Sequence, residues 1–276
     1  MATLSQPHIA AGPAAMPADR APFLKQVALV TWRNILTIVR TPLALFPPML
    51  ISLFFLIIYE STLGGAADFL PGINGSYIGF IMPLSIISAS LAGAGIAGQN
   101  LVRDVETGYF DKLLLTPVSR GALVLGPILA GALVLGVQAA LVIAVGLLMG
   151  LDPATGLGGL LAVTGLAVLL GTGFAGFSVA SALNSGNAAA TSASSFIFFP
   201  LTFLAPTFVP LELLDGWLKT AARFNPITYV LEAMRQIINV GWDGQSVGQA
   251  MLACAILGTL MYALALRALV RRTRRL

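Results

Sequence analysis

Chemistry needs ionisable or nucleophilic side chains, and this chain of 276 residues has few. Only 9% are Asp, Glu, Lys or Arg, with one histidine, His8, and one cysteine, Cys254. A lone cysteine excludes an internal disulfide and a Cys-rich metal site, and a lone histidine near the N-terminus excludes a buried histidine cluster. The only lysines are Lys25, Lys112 and Lys219. None follows a G-x-x-x-x-G-K-[ST] run, so the chain has no phosphate-binding loop of that kind. No carboxylate pair, Ser/His pair or ligand cluster supports catalysis, so we expect no enzyme, no metal and no cofactor in this chain.

The charges that do exist are concentrated. Residues 103–120 read Arg-Asp-Val-Glu-Thr-Gly-Tyr-Phe-Asp-Lys-Leu-Leu-Leu-Thr-Pro-Val-Ser-Arg and hold six, three of each sign. An ordinary loop on the positive side of a membrane would carry mainly Lys and Arg. Mixed charge beside Tyr109, Phe110 and a leucine run suits a short helix that docks another protein. On a helix over 103–112, Arg103 and Glu106 are i,i+3 neighbours, as are Gly108 and Asp111. Thr116-Pro117 ends it, and Ser119 caps the next helix. The docking candidates are Arg103, Asp104, Glu106, Gly108, Asp111 and Lys112.

The elements that must hold this segment are apolar. Hydrophobic residues make up 57% of the chain and 29 glycines add to them, too little polar surface to cover a soluble globule. Six stretches qualify as spans: 43–63, 77–102, 121–149, 157–183, 188–209 and 247–270. Only Glu60 and Arg267 are charged within them, each near one end. Pro127 is expected to kink the third, and Pro200 and Pro206 the fifth. With the N-terminus inside, twelve basic residues fall on inner segments or the inner end of the last span, and three on outer ones. That places both termini in the cytoplasm of a multi-pass cell-membrane protein. Basic residues gathered at the C-terminus read as membrane anchoring rather than nucleic-acid binding. Small residues four apart, Ala94/Gly98 and Ala132/Gly136, would let spans approach closely.

Residues 1–21 are expected to form a disordered tail, 22–270 the membrane domain and 271–276 a basic tail. Residues 23–40 form an amphipathic pattern. At about 100° per residue, Lys25, Arg33 and Arg40 fall between 0° and about 80°, and an apolar stripe whose edge is Trp32 falls between about 200° and 340°. A helix lying on an anionic leaflet fits this pattern. The alternative, the first part of a longer span, is disfavoured by Thr41-Pro42, which ends the segment.

The run E-T-G-Y-F-D-K-L-L-L-T-P-V-S-R resembles the signature of type-2 ABC exporter permeases, the drug-resistance and nodulation-factor class. The matching positions are Glu106, Gly108, Asp111, Leu113-Leu114 and Thr116 to Arg120, with Tyr109-Phe110 where a small pair is common. Phe199-Pro-Leu-Thr-Phe, Pro210, Trp217, Asn225-Pro-Ile-Thr-Tyr229 and Arg235 are similar to the family's second recurrent region. The resemblance implies an all-α polytopic membrane protein with six transmembrane helices, an N-terminal interfacial helix and a cytoplasmic coupling helix after the second span. It also implies short outer re-entrant helices before the sixth span. Implied partners are two copies of an ABC ATPase subunit, which bind ATP and Mg, a second permease subunit identical to this one, and membrane lipids.

Within 210–246, Asn225-Pro226 is a good helix start, running toward Val240 with Glu232 and Arg235 as i,i+3 partners. Trp217 and Trp242 suit the water–lipid boundary. Glu60, Asn225, Pro226, Tyr229 and Arg235 are candidates for an outer gate. Phe54, Phe55, Tyr59, Phe198, Phe199 and Phe203 are candidates for a pathway suited to an amphipathic drug-, lipid- or glycan-like cargo. An ion-coupled carrier acting alone would call for ionisable residues at mid-span, and none is found there. An embedded enzyme would call for a polar catalytic cluster.

Overall fold

In a computed structural model, residues 21–65, 77–207 and 211–274 are described. The expected N-terminal tail, His8 included, lies almost wholly outside them. The elements are α1 (Phe23–Val39), α2 (Phe46–Leu63), α3 (Tyr77–Glu106), α4 (Tyr109–Leu114), α5 (Arg120–Leu148) and α6 (Gly156–Ser185). Then come α7 (Ala188–Ser195), α8 (Phe198–Leu204), α9 (Gly216–Phe224), α10 (Pro226–Asn239) and α11 (Gly244–Thr273). No strand occurs among the described residues.

Local chemistry sets the boundaries. Thr41 closes the α1 segment by donating its hydroxyl to the Thr37 carbonyl at 3.1 Å. Pro47 and Pro48 stand in the first turn of α2, where a missing N–H costs nothing. Ser119 caps α5 as expected, accepting from the Ala122 N–H at 3.3 Å. Asn225 caps α10 by accepting from Ile227 at 3.0 Å, with Pro226 at the first helical position.

Four helices, α3, α5, α6 and α11, are long and apolar enough to cross a membrane by length and composition. At 29 or 30 residues each runs about 45 Å, against about 30 Å of hydrocarbon, so their ends tilt or project. The stretch expected at 43–63 is the shorter α2, of 18 residues. The stretch expected at 188–209 is not one helix but two, α7 and α8, broken at Phe196-Ile197. Pro200 is the physical reason. It has no N–H for the Phe196 carbonyl, which accepts instead from Phe199 at 3.0 Å in a tighter turn.

α6 packs against α3, α5 and α11, and α3 is buried almost throughout its span while α11 leaves most of its surface free. The small-residue pairs act at these crossings. A Cβ on Gly98 of α3 would lie 2.6 Å from the Ser178 carbonyl oxygen of α6, and one on Gly136 of α5 would lie 2.6 Å from Val168 Cγ2. The larger core joins α3, α5 and α6 to α10, whose Ile227, Val230, Leu231, Met234, Ile237 and Ile238 are fully buried. A second core at the α4 end gathers Leu101, Val102, Phe110, Val124, Leu183 and Leu269.

Candidate functional site

The mixed-charge segment is built differently from the single helix expected over 103–112. α3 runs on through Arg103, Asp104 and Glu106, so Arg103 and Glu106 remain i,i+3 neighbours. The chain then breaks at Gly108, whose φ of +69° belongs to the left-handed region that a glycine enters freely. α4 restarts with Gly108 as its cap residue, whose carbonyl accepts from the Lys112 N–H at 3.4 Å, so Gly108 and Asp111 share the first turn of a second helix. Phe110, 1% exposed, pins α4 into the core at this end. Arg103, Glu106, Thr107, Tyr109, Lys112 and Leu115 are left exposed, with Asp111 half-buried.

α1 is clamped to this junction. Arg33 donates through Nη1 to Asp104 Oδ2 at 2.7 Å and through Nη2 to Oδ1 at 2.5 Å. Its guanidinium also lies over the Tyr109 ring, 4.1 Å from the centroid. Hydrogen bonding to Asp104 raises the Arg33 pKa above its ordinary value, outweighing the opposite effect of partial burial. A second tie joins α1 to the start of α5, where Gln26 Oε1 accepts from the Ser119 N–H at 2.8 Å. Of the other residues expected on the interfacial helix, Lys25, Trp32 and Arg40 are exposed. The buried face of α1 is partly polar, combining Gln26, Thr31 and Asn34 with Val27 and Ile38. Sequence reasoning missed Gln26. Its one visible signal was an amide on the flank beside the basic stripe.

Farther along the bundle, α2, α3 and the broken α7–α8 pair enclose a groove of about 340 Å³. Phe55, Tyr59, Phe199 and Phe203 line it, as does Phe196. Its polar lining is uncharged and includes Ser88, Gln99, Ser192, Thr202 and Thr207. Gln99 Nε2 donates to Ser192 Oγ at 3.1 Å, joining α3 to α7. Two of the expected aromatics lie elsewhere. Phe198 is buried between Phe174 and Phe177, with ring centroids 4.8 and 4.7 Å away. Phe54 is 59% exposed on the outside of α2.

At the opposite end from α4, Arg235 interacts electrostatically with Glu232, its expected i,i+3 partner, but its hydrogen bonds go elsewhere. The side chain is 9% exposed and donates to three backbone carbonyls. These are Phe80 of α3 at 3.0 Å, Pro206 at 2.6 Å and Thr207 at 2.5 Å. The guanidinium also sits 3.6 Å from the centroid of the Phe80 ring. Asn225 donates to the Leu201 carbonyl of α8 at 2.6 Å, and the Tyr229 hydroxyl donates to the Arg223 carbonyl at 2.7 Å, stapling α9 to α10. Thr155 donates to the Ile237 carbonyl at 2.7 Å. α10 is therefore fastened at its start, middle and end. Glu60, in the last turn of α2, has a buried Oε2 with no hydrogen-bond partner among the described residues.

The sequence profile described as ABC-2 type transporter matches residues 25–239. The daunorubicin resistance ABC transporter permease protein DrrB1 of Streptomyces coeruleorubidus is 26% identical over 213 residues, covering 75% of this chain and 73% of that protein. The putative transport permease ycf38 of Porphyra purpurea is 24% identical over 240 residues, 82% of each chain. The probable doxorubicin resistance ABC transporter permease protein DrrC of Mycobacterium tuberculosis is 24% identical over 238 residues, 85% of this chain and 86% of its own. Carrying the profile over most of its helical, apolar length, the chain belongs to the ABC-2 type transporter family of membrane permeases.

Proposed function

We propose that this chain is the membrane-spanning subunit of an ATP-driven exporter, worked from the cytoplasm by separate ATPase subunits and paired with a second permease. One observation carries the reading: α4 is an exposed six-residue helix, seated on Phe110 and tied to α1 through Arg33. A partner pressing on Glu106, Lys112 and Leu115 moves α3, α4 and α1 together, because Asp104, Tyr109 and Arg33 are one contact. The excess of basic residues on segments at the α4 end supports its cytoplasmic placement, with both termini on the same side. ATP and Mg are held by the partner, since this chain has no phosphate loop.

The groove between α2, α3 and α7–α8 is the cargo site in this reading. Aromatic rings beside uncharged hydroxyls and an amide suit an amphipathic molecule with a hydroxyl- or carbonyl-bearing part, and give a bare metal ion no ligand set. Relatives named for daunorubicin and doxorubicin resistance make a drug-like cargo a fitting candidate. Binding of nucleotide to one of two arrangements of the ATPase pair then shifts the groove between two states.

The test is charge reversal at the exposed Glu106. E106K should slow partner docking roughly tenfold and change its salt dependence, since a rim charge acts mainly on association, while membrane insertion stays normal. The purified chain alone should hydrolyse no ATP. Full partner-stimulated hydrolysis and export by E106K, or cargo movement by the chain alone in liposomes, would overturn the proposal.

A further inference from the structure

The flank of α1 that faces away from the Asp104 clamp forms, with α5 and α6, a second groove of about 380 Å³. Leu24, Ala28, Trp32 and Ile35 of α1 face Leu129 and Leu133 of α5 across it. From Leu24 to Ile35 the helix rises about 16 Å. That is close to one leaflet of hydrocarbon, about 15 Å. The lining is apolar but for Thr31, which is 8% exposed. Its hydroxyl has no partner among the described residues, whereas Thr37 and Thr41 donate to the carbonyls one turn back at 3.0 and 3.1 Å. Lys25 is exposed and stands three residues before Ala28 and seven before Trp32, so it shares their side of the helix. Phe23, beside Gly121 in the first turn of α5, sets this end of α1 level with the start of α5.

A slot one leaflet long, with a cation at its mouth and an unpaired hydroxyl in its wall, matches one molecule class. We propose that it seats a single acyl chain of an anionic phospholipid. The phosphate meets Lys25, and an ester carbonyl accepts from Thr31. An occupied slot braces α1 from the side opposite Arg33 and so steadies the clamp on Asp104. The proposal rests on the membrane placement of the chain in the function proposed above, with α1 running beside the spanning helix α5, where Phe23 neighbours Gly121 and Val30 neighbours Gly126.

The experiment uses the full chain in bilayers, with Trp217→Phe and Trp242→Phe leaving Trp32 as the only tryptophan. Brominated phosphatidylglycerol and, separately, brominated phosphatidylcholine are titrated into unbrominated lipid, and quenching of Trp32 gives a relative binding constant. We expect phosphatidylglycerol to be preferred about fivefold, the effect of one basic side chain near an anionic headgroup. K25Q should bring the preference close to one. A28F, which fills the slot from an exposed position, should do the same and also lower the quenching. Quenching without preference, or a preference unchanged in A28F, would overturn the lipid seat and leave partner docking at α4 untouched. Absence of quenching by either lipid would take α1 off the membrane, overturning the seat and the placement beneath it together.

Discussion

Removing the carboxylate that Arg33 grips tests the clamp most directly. The pair is bidentate, and the Arg33 and Asp104 side chains are 33% and 16% exposed. A freely exposed pair contributes about 0.2–1 kcal/mol. A charge-assisted hydrogen bond shielded from water contributes about 1.5–3 kcal/mol. With a third of the arginine open to solvent, we take about 1–2 kcal/mol for the pair. The Tyr109 contact adds about 0.5 kcal/mol on the arginine side alone. D104N should therefore raise local opening of α1 about 5–30-fold, read as faster hydrogen exchange of its amides in the reconstituted chain. R33Q should do slightly more, and the double variant scarcely more than R33Q, giving a coupling energy near 1–2 kcal/mol in the cycle. R33K keeps the charge but loses the fork, so it should fall between. The arginine side adds no pH dependence in the working range. A raised pKa leaves its contribution complete below the ordinary guanidinium value and lost only above the raised one. Additive single effects, or α1 exchange unchanged in D104N, would refute the clamp.

Other consequences can be checked by simpler means. R235K puts its three donors on one nitrogen, which cannot reach the carbonyls that Arg235 meets with Nε, Nη1 and Nη2, so it should destabilise the protein by roughly 2–4 kcal/mol and lower its thermal midpoint in detergent. G98A should destabilise by about 1–3 kcal/mol, because its Cβ would press on the Ser178 backbone. G165A, in open space on α6, should be neutral or stabilising by up to about 1 kcal/mol in the same assay. D243A should increase exchange in the first turn of α11, since it removes the acceptor for Ser246 and Gln245. Bonding to Ser246, and then to Gln245, holds the Asp243 carboxyl below its usual value. That cap is complete above the ordinary carboxylate pKa and lost as pH falls through the lowered one, so the protection factor there, exchange relative to the free-chain rate at each pH, should not change between about pH 5 and 8.

Much of the framework was legible because its determinants are local. Four long apolar runs became α3, α5, α6 and α11, and Ser119, Asn225 and Pro226 marked helix starts by cap chemistry that needs no tertiary context. Pro200 was legible as a disturbance but not as a complete break, since its consequence depends on the Phe196 carbonyl finding another donor. The path of 103–112 was misjudged because charge spacing alone fits a continuous helix. Gly108 decides otherwise only once α4 must turn so that Phe110 reaches the core. Phe198 could not be told from Phe199 by composition. Adjacent helical residues point about 100° apart, which puts one in the core and the other on the groove.

The arginines show most clearly what a sequence withholds. Arg33 and Arg235 both read as surface charges, one in a basic stripe and one in a polar outer segment. Each instead closes on α3, 71 and 155 residues away along the chain. Arg33 holds α3 by the Asp104 carboxylate at one end, and Arg235 holds it by the Phe80 carbonyl at the other. Between those points α3 is buried almost throughout, packed on α2, α5 and α6. A helix gripped at both ends and supported along its length cannot slide independently of what grips it. In the exporter reading, a load taken up at α4 therefore reaches α10 without α10 having to swing free. Its fastenings to α3, α8 and the turn before α6 argue that the far end opens by movement of this whole block against a second permease. Pro83 leaves the Gly79 carbonyl, adjacent to the Phe80 contact, without its usual helical donor. That makes it the natural place for α3 to yield if the block must bend.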